Sequence, residues 1–206
     1  MTNPEIWQRV EEYRAQYQPH LNAEKVPLDL LTFVELELGL NIEPLDDLSR
    51  DFSADAALIG DFSGFYLDRA IYDRLDIASR SQLNRLRFSL AHELGHYVLH
   101  QERYQNSGVS DSESLKEWLN HHSGDKREIE QEANEFAGRL LVPIEVLSSL
   151  FEKLAQGLDA IYGPHGWQNW NDLREKTCEH LSQKFGLHTQ GISTRLHREG
   201  LWPSIY

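Results

Sequence analysis

Two histidines and a glutamate near the middle of the chain have the types and spacing of a metal site. The segment from Ala91 to His96 reads Ala-His-Glu-Leu-Gly-His, which contains the pattern His-Glu-x-x-His. On a helix, two imidazoles four residues apart point the same way and can bind one metal ion. The pattern therefore predicts metal-assisted chemistry on water.

The residues around this pattern predict a buried helix. Apolar side chains recur at helical spacing before and through it, and others cover the neighbouring side: Leu83, Leu86, Leu90 and Leu94, then Phe88, Ala91, Val98 and Leu99. Buried His92, Glu93 and His96 need a polar partner, either a cation or a hydrogen-bond network of core histidines without metal. Gly95 has no side chain, so a second helix or a strand can approach closely there.

A catalytic zinc usually has three protein ligands and keeps its fourth position for water, so a third donor is required. Glu130 is a suitable carboxylate, because on a helical wheel it lies beside the apolar stripe of Ile129 and Phe136 and should point inward. Asn134, one turn later, can hydrogen-bond a ligand or be an ordinary buried amide. The remaining acidic residues of this run are predicted to form a solvated face: Glu128, Glu132 and Glu135.

Glu93 has the position of a general base. It lies between the two histidines but points about 100° away from His92 on the helix, which suits a carboxylate that holds water. An oxyanion donor is not identified among the candidates, which are Tyr66, Tyr72, His121, His122, Tyr162 and His165. His100 either supports the metal ligands or hydrogen-bonds the last-turn carbonyls of its own helix.

These two segments together resemble the ImmA/IrrE family of metallopeptidases. The resemblance rests on His92 to His96, followed by the pattern Glu-x-x-Ala-Asn-x-Phe-Ala from Glu130 to Ala137. Flanking segments extend it over most of the chain: Arg87 to Ala91, Tyr97 to His100, Val26 to Leu31 and Leu38 to Leu40. It implies a zincin-like, gluzincin-type α+β fold, with His92, His96 and Glu130 as metal ligands and Glu93 as the catalytic carboxylate. A His₂Glu site accepts Zn²⁺ but also Mn²⁺, Co²⁺ or Fe²⁺.

Composition predicts a cytoplasmic enzyme. The chain has 206 residues, 40% of them hydrophobic, and neither a basic, apolar start nor a membrane-length apolar run. Its single cysteine, Cys178, excludes an intrachain disulfide. The net charge of −13 weighs against nonspecific nucleic-acid binding and is compatible with a protein substrate.

The remaining pattern predicts helices around a small sheet. Helices are expected over Pro4 to Tyr17 and over Pro27 to Leu38, the second ended by Gly39 before a short extended segment, Leu40 to Ile42. About three strands are expected, at Ala57 to Ile59, Phe65 to Leu67 and Ala70 to Tyr72, packed on the His-Glu-x-x-His helix. An edge strand there can pair with an extended peptide substrate.

Two other segments each allow more than one interpretation from their sequence pattern. Gln101 to Arg127 is polar and reads as a loop with one short helix around Leu115 to Leu119, either a flap or a plain connection. Leu181 to Leu196 predicts a helix, a glycine turn and a second helix, as in a helix-turn-helix. Few basic residues line the second helix, which favours packing or partner docking over DNA contact. We therefore predict a metallopeptidase core at 1–172 and a C-terminal helix-turn-helix-like segment at 173–206.

Three functions are compatible with these features. By the resemblance, the first is a zinc endopeptidase that cleaves a helix-turn-helix transcriptional repressor and so derepresses stress-response or mobile-element genes. The second is a metal-binding regulator or interaction module without turnover, although Glu93 is superfluous for binding alone. The third is a DNA-binding regulator that uses the C-terminal helices, which the acidic charge balance disfavours.

Overall fold

The computed structural model describes residues 1–17, 25–102 and 125–202, and the α+β fold predicted from the sequence is confirmed within them. Helices dominate, and the predicted loop helix around Leu115 lies outside the described residues. In chain order the elements are α1 (Asn3–Gln16), α2 (Leu30–Thr32) continued by a π-helical turn (Phe33–Glu37), β1 (Asn41–Leu45), α3 (Leu48–Phe52), β2 (Ala56–Leu58), β3 (Gly64–Asp68), α4 (Arg69–Tyr72), α5 (Arg80–Leu99), α6 (Asp125–Leu141), α7 (Ile144–Tyr162), a 3₁₀ turn (Gly166–Asn169), α8 (Asn171–Phe185) and α9 (Thr189–Arg198).

The sheet has the predicted three strands, but one of them is not the predicted segment. The strand order is β1-β3-β2, with β1 parallel and β2 antiparallel to β3. The third predicted strand, Ala70 to Tyr72, is wrong, because Asp68 accepts a hydrogen bond from the Ala70 N–H and starts α4. Its place in the sheet is taken by β1, where Pro44 is tolerated because β1 is an edge strand.

The second predicted helix starts later than its pattern suggested. Asp29 accepts a hydrogen bond from the Thr32 N–H, so the helix begins at Leu30 and not at Pro27. Gly39 follows the π-helical turn with a φ of +63°, a conformation that glycine adopts without strain. The predicted glycine stop is therefore confirmed.

The helix that carries the His-Glu-x-x-His pattern begins with a capping box. Ser79 accepts a hydrogen bond from the Gln82 N–H, and the Gln82 side chain accepts from the Ser79 N–H. The first turn of α5 is exposed, whereas its second half is largely buried, with Leu90 and Leu94 in the main core. The predicted burial is thus confirmed for Leu94, Gly95 and His96, whereas His92 and Glu93 are partly exposed.

Helices α5 and α6 are in close contact at Gly95. A Cβ atom at this position would lie 3.1 Å from the Ala133 Cα and 3.3 Å from the Phe136 Cβ. The backbone of α6 therefore occupies the space that a side chain would need, as the sequence predicted for this glycine. This contact fixes the distance between the helices that carry His92, His96 and Glu130.

We expect the Gly95→Val variant to be less stable than the wild type. Its branched side chain must push α6 away, which should lower the free energy of unfolding by about 1–3 kcal/mol. Urea unfolding of the metal-free protein measures this difference. A variant as stable as the wild type would show that the two helices are not in fixed contact at Gly95.

The C-terminal helices pack into the same apolar core as α5 and α6. Gly186, with a φ of +62°, turns the chain between α8 and α9, as predicted. Phe185, Ile192 and Leu196 are buried in the core cluster that also contains Leu90. The division after residue 172 falls near the start of α8 and stays a prediction. None of the helices within residues 1–17, 25–102 and 125–202 has the length and apolar character needed to cross a bilayer.

Candidate active site

Three side chains from α5 and α6 converge on one point. The Nε2 atoms of His92 and His96 lie 3.0 Å apart. Glu130 places Oε2 3.1 Å from His92 Nε2 and Oε1 3.8 Å from His96 Nε2. The i, i+4 spacing on α5 aligns the two imidazoles, and the close contact at Gly95 brings α6 within reach. The structure thus brings together the three residues that the sequence proposed as ligands.

The chemistry of these donors fits a divalent cation. Two imidazole nitrogens and a carboxylate are borderline donors that suit zinc and related metals. Two neutral imidazole lone pairs facing each other at 3.0 Å repel unless a proton or a cation lies between them. His96 is buried while His92 and Glu130 are partly exposed, so the site is open on one side. His92, Glu93 and His96 also offer ligand atoms within 4.8 Å of one another, which makes Glu93 the competing third donor.

Glu93 points toward the sheet as well as toward the histidines. Its Oε2 accepts a hydrogen bond of 2.8 Å from the backbone N–H of Leu58, the last residue of β2. Burial raises the pKa of Glu93 to about 7, against the lowering effects of His92 and of the Leu58 N–H. A carboxyl group with this pKa can accept and release a proton near neutral pH.

The raised pKa of Glu93 has a measurable effect on stability. Because the folded-state pKa is about 7 and the ordinary value is 4.5, stability present at low pH is lost as the pH rises through 7. The Glu93→Gln variant keeps a neutral side chain at every pH. We expect it to make the metal-free protein about 3 kcal/mol more stable at pH 8 and to change little at pH 4.5.

Urea unfolding of both metal-free proteins at the two pH values measures this effect. Glu128→Gln serves as the control, because Glu128 is exposed. A Glu93→Gln variant that is less stable than the wild type at pH 8 would contradict the assignment of Glu93 as a desolvated, destabilising carboxylate.

Asn134 lies where it can orient His92. Its Oδ1 is 3.1 Å from His92 Nδ1, so the amide oxygen can accept the Nδ1 proton and leave Nε2 free to bind. Burial lowers the pKa of His92, but the hydrogen bond to Glu130 and the charges of Glu93 and Glu130 outweigh it and raise the pKa. The structure therefore places Asn134 beside a candidate ligand. This contact matches the first of the two roles that the sequence left open, hydrogen bonding to a ligand.

The predicted solvated acidic face of α6 is wrong for two of its three residues. Glu128 is exposed, but Glu132 and Glu135 are each only 4% exposed. Glu135 accepts hydrogen bonds from Trp7 of α1 and from Arg139, and it pairs with Arg198 of α9. Glu132 pairs with His100 and with the Met1 amino group. Helices α1 and α9 cover this face, which a helical wheel of α6 alone does not show.

The two arginines of α9, Arg195 and Arg198, are both engaged within the protein. Arg195 is buried, donates to the Val142 carbonyl and pairs with Glu199 at 2.7 Å. Arg198 keeps about half of its side chain exposed while it pairs with Glu135. These contacts favour packing of the C-terminal segment on the core.

The described candidates for the oxyanion donor lie in β3, in α4 and near the C-terminal end of α7. Tyr162 packs on Trp170 at 5.3 Å between ring centroids, and the His165 N–H donates to Asp159, both at the C-terminal end of α7. Tyr66 lies in β3 opposite Ala57, and Tyr72 ends α4. His121 and His122 lie outside the described residues.

A His-Glu-x-x-His helix beside a small mixed sheet, with a carboxylate from the next long helix, is typical of metal-dependent hydrolases. Residues 59–197 match the family described as the IrrE N-terminal-like domain, peptidase family M78. This match covers about two thirds of the sequence and includes both site helices, so the chain belongs to that family. The family supports a metallopeptidase of the IrrE/ImmA type, with a divalent metal and a protein substrate. No curated protein matches the chain significantly.

Proposed function

We propose that the protein is a zinc-dependent endopeptidase, with His92, His96 and Glu130 as metal ligands and Glu93 as the general base. The observation that carries this proposal is the convergence of two Nε2 atoms and a carboxylate within 3.8 Å, with a second carboxylate beside them. Glu130 is the better ligand because it approaches both histidines through separate oxygens. Glu93 is the better base because the Leu58 N–H at the end of β2 holds its carboxylate beside the histidines.

When bound, the zinc would lower the pKa of a water molecule to about 7 and polarise the substrate carbonyl. A side chain of the protein then transfers the proton. Glu93 takes the proton from the attacking water at a carboxylate oxygen and delivers it to the leaving amine. The Leu58 N–H holds the Glu93 carboxylate in place through the 2.8 Å hydrogen bond.

The strand β2 is a suitable place for an extended peptide. It lies at the edge of the sheet in the described part of the chain, and its last residue, Leu58, contacts Glu93. A peptide paired with β2 through main-chain hydrogen bonds would bring a carbonyl group close to the candidate base.

The proposed substrate is a helix-turn-helix transcriptional repressor in the cytoplasm, whose cleavage would derepress stress-response or mobile-element genes. Family membership supports a protein substrate, and the net charge of −13 disfavours binding to nucleic acid phosphates. The internal ion pairs of Arg195 and Arg198 support a packing role for the C-terminal helices. Direct DNA binding is therefore not part of the proposal.

Incubation with the helix-turn-helix protein encoded nearest to its gene tests the proposal. The zinc-loaded enzyme should produce fragments detectable by mass spectrometry, and a chelator should prevent them. Parallel samples with Mn²⁺ and Co²⁺ show which metal supports turnover. A metal-loaded protein that forms a stable complex with an intact partner would instead establish the non-proteolytic regulator.

A further inference from the structure

A line of buried polar side chains leads from the metal site to the far side of α6. His96 Nδ1 lies 3.0 Å from His100 Nδ1, and His100 Nε2 lies 2.8 Å from Glu132 Oε2. The three residues are 1%, 3% and 4% exposed. His100 ends α5 one turn after His96, and Glu132 lies on α6 two residues after Glu130. Each imidazole in this line therefore uses both of its nitrogens.

The carboxylate at one end fixes the direction of the hydrogen bonds. An ionised carboxylate only accepts, so His100 must carry its proton on Nε2 and donate it to Glu132. The Nδ1 of neutral His100 is then an acceptor, and His96 must donate its Nδ1 proton to it. His96 is left with a bare lone pair on Nε2, the atom that faces His92 and Glu130.

We infer that His100 and Glu132 are positioning residues that fix the tautomer and the ring orientation of His96 for metal binding. This inference rests on the proposed function, in which His96 is a ligand. Asn134 makes the equivalent contact for His92, since its amide oxygen lies 3.1 Å from His92 Nδ1. Both imidazoles thus have an acceptor behind Nδ1 and present Nε2 to the same point.

Glu132 is a buried carboxylate that two groups of the protein contact. A buried carboxylate is costly unless it is paired and hydrogen-bonded, so the fold has to supply its partners. They are the His100 ring and the amino group of Met1. His100 directs its side chain at Glu132, while its backbone N–H donates to the His96 carbonyl as an ordinary helix end. The side chain therefore contributes to the line of hydrogen bonds toward the metal ligands.

Two pairs of variants test the inference. His100→Phe removes the acceptor for the His96 Nδ1 proton, whereas His100→Gln restores one through its amide oxygen. Glu132→Gln replaces the carboxylate, which only accepts hydrogen bonds, with an amide that can also donate them. Glu135→Gln is the matched control, because Glu135 is an equally buried carboxylate on the same helix that pairs with arginines instead.

The zinc dissociation constant is measured by competition with a chromophoric chelator, and the visible spectrum of the cobalt form reports ligand geometry. We expect His100→Phe to bind zinc about 10–100-fold more weakly and with an altered cobalt spectrum, and His100→Gln to recover most of the affinity. Glu132→Gln should weaken binding about 10-fold, and Glu135→Gln should leave it unchanged. Circular dichroism of the metal-free variants establishes that each one is folded.

Two results would overturn the inference. One is a folded His100→Phe variant that binds zinc as tightly as the wild type with the same cobalt spectrum. The other is an equal loss of affinity in Glu132→Gln and Glu135→Gln, which would indicate general destabilisation of α6. If His100→Phe does not fold, the comparison of zinc affinity between Glu132→Gln and Glu135→Gln tests the inference. A wild-type protein that binds no zinc would overturn the proposed function itself, so the two failures are distinguishable.

Discussion

Glu93→Gln should reduce the turnover of the zinc-loaded enzyme by about 10²–10⁴-fold, the usual contribution of a positioned general base. The amide has nearly the same shape and can still accept the hydrogen bond from the Leu58 N–H, but it cannot take a proton from water. Zinc affinity should change little, because Glu93 is not a ligand in our assignment. Cleavage rates by mass spectrometry and zinc titration of the same samples separate the two effects.

The matched control for this loss is Glu128→Gln, a change of the same chemistry at an exposed carboxylate on α6. It should keep the wild-type rate. Full activity in Glu93→Gln would contradict the role of this residue as the base. A loss of both cleavage rate and zinc affinity in Glu93→Gln would mean that Glu93 binds the metal.

Glu130→Ala should weaken zinc binding by more than about 100-fold, beyond what the loss of an outer hydrogen-bonding partner causes. The carboxylate supplies the only negative charge in the proposed ligand set, and it lies 3.1 Å and 3.8 Å from the two histidine nitrogens. Its removal leaves two imidazoles, one short of the three protein ligands typical of catalytic zinc. Turnover should fall with the bound metal and recover partly at high zinc concentration.

Glu128→Ala is the control for this second experiment, since Glu128 lies two residues earlier on the same helix and is exposed. It should bind zinc like the wild type. Zinc affinity unaffected by Glu130→Ala would exclude Glu130 as a ligand and direct attention to Glu93, which is also close enough to bind.

The candidate site was largely predictable because its geometry is local to two helices. The i, i+4 spacing of His92 and His96 places both rings on one side of α5 wherever that helix lies. Gly95 indicated a close neighbour, and α6 lies there, 3.1 Å from a hypothetical Cβ. The inward direction of Glu130 followed from the apolar stripe beside it. These are properties of single elements, which a sequence pattern can show.

The environment of Glu132 and Glu135 was not predictable in the same way. A helical wheel separates an apolar face from a polar face, and it assigned these carboxylates to water. In the structure, residues distant in sequence cover them: Trp7 and Arg198 contact Glu135, while His100 contacts Glu132. Burial of a polar face by ion pairs from other helices leaves no apolar periodicity in α6 itself. The sequence had offered His100 as a possible support for the metal ligands, but its partner Glu132 was visible only in three dimensions.

The third strand illustrates a similar limit. Ala70 to Tyr72 has a strand-like composition, but Asp68 starts a helix there through its hydrogen bond to the Ala70 N–H. The segment Asn41–Leu45 contains three residues that strands disfavour, Asn41, Glu43 and Pro44, and it forms β1 because parallel pairing with β3 is available. Pairing between distant segments decided the sheet, whereas local preference decided the helices.

The assignment of Glu130 as ligand and Glu93 as base is the centre of this account, and a crystal structure of the zinc-loaded protein with anomalous data at the zinc edge tests it most directly. The account predicts one zinc peak, at about 2.0–2.2 Å from His92 Nε2, His96 Nε2 and a Glu130 oxygen, with Glu93 outside bonding distance. A zinc ion bonded to Glu93 in place of Glu130, or located away from the two histidines, would contradict it.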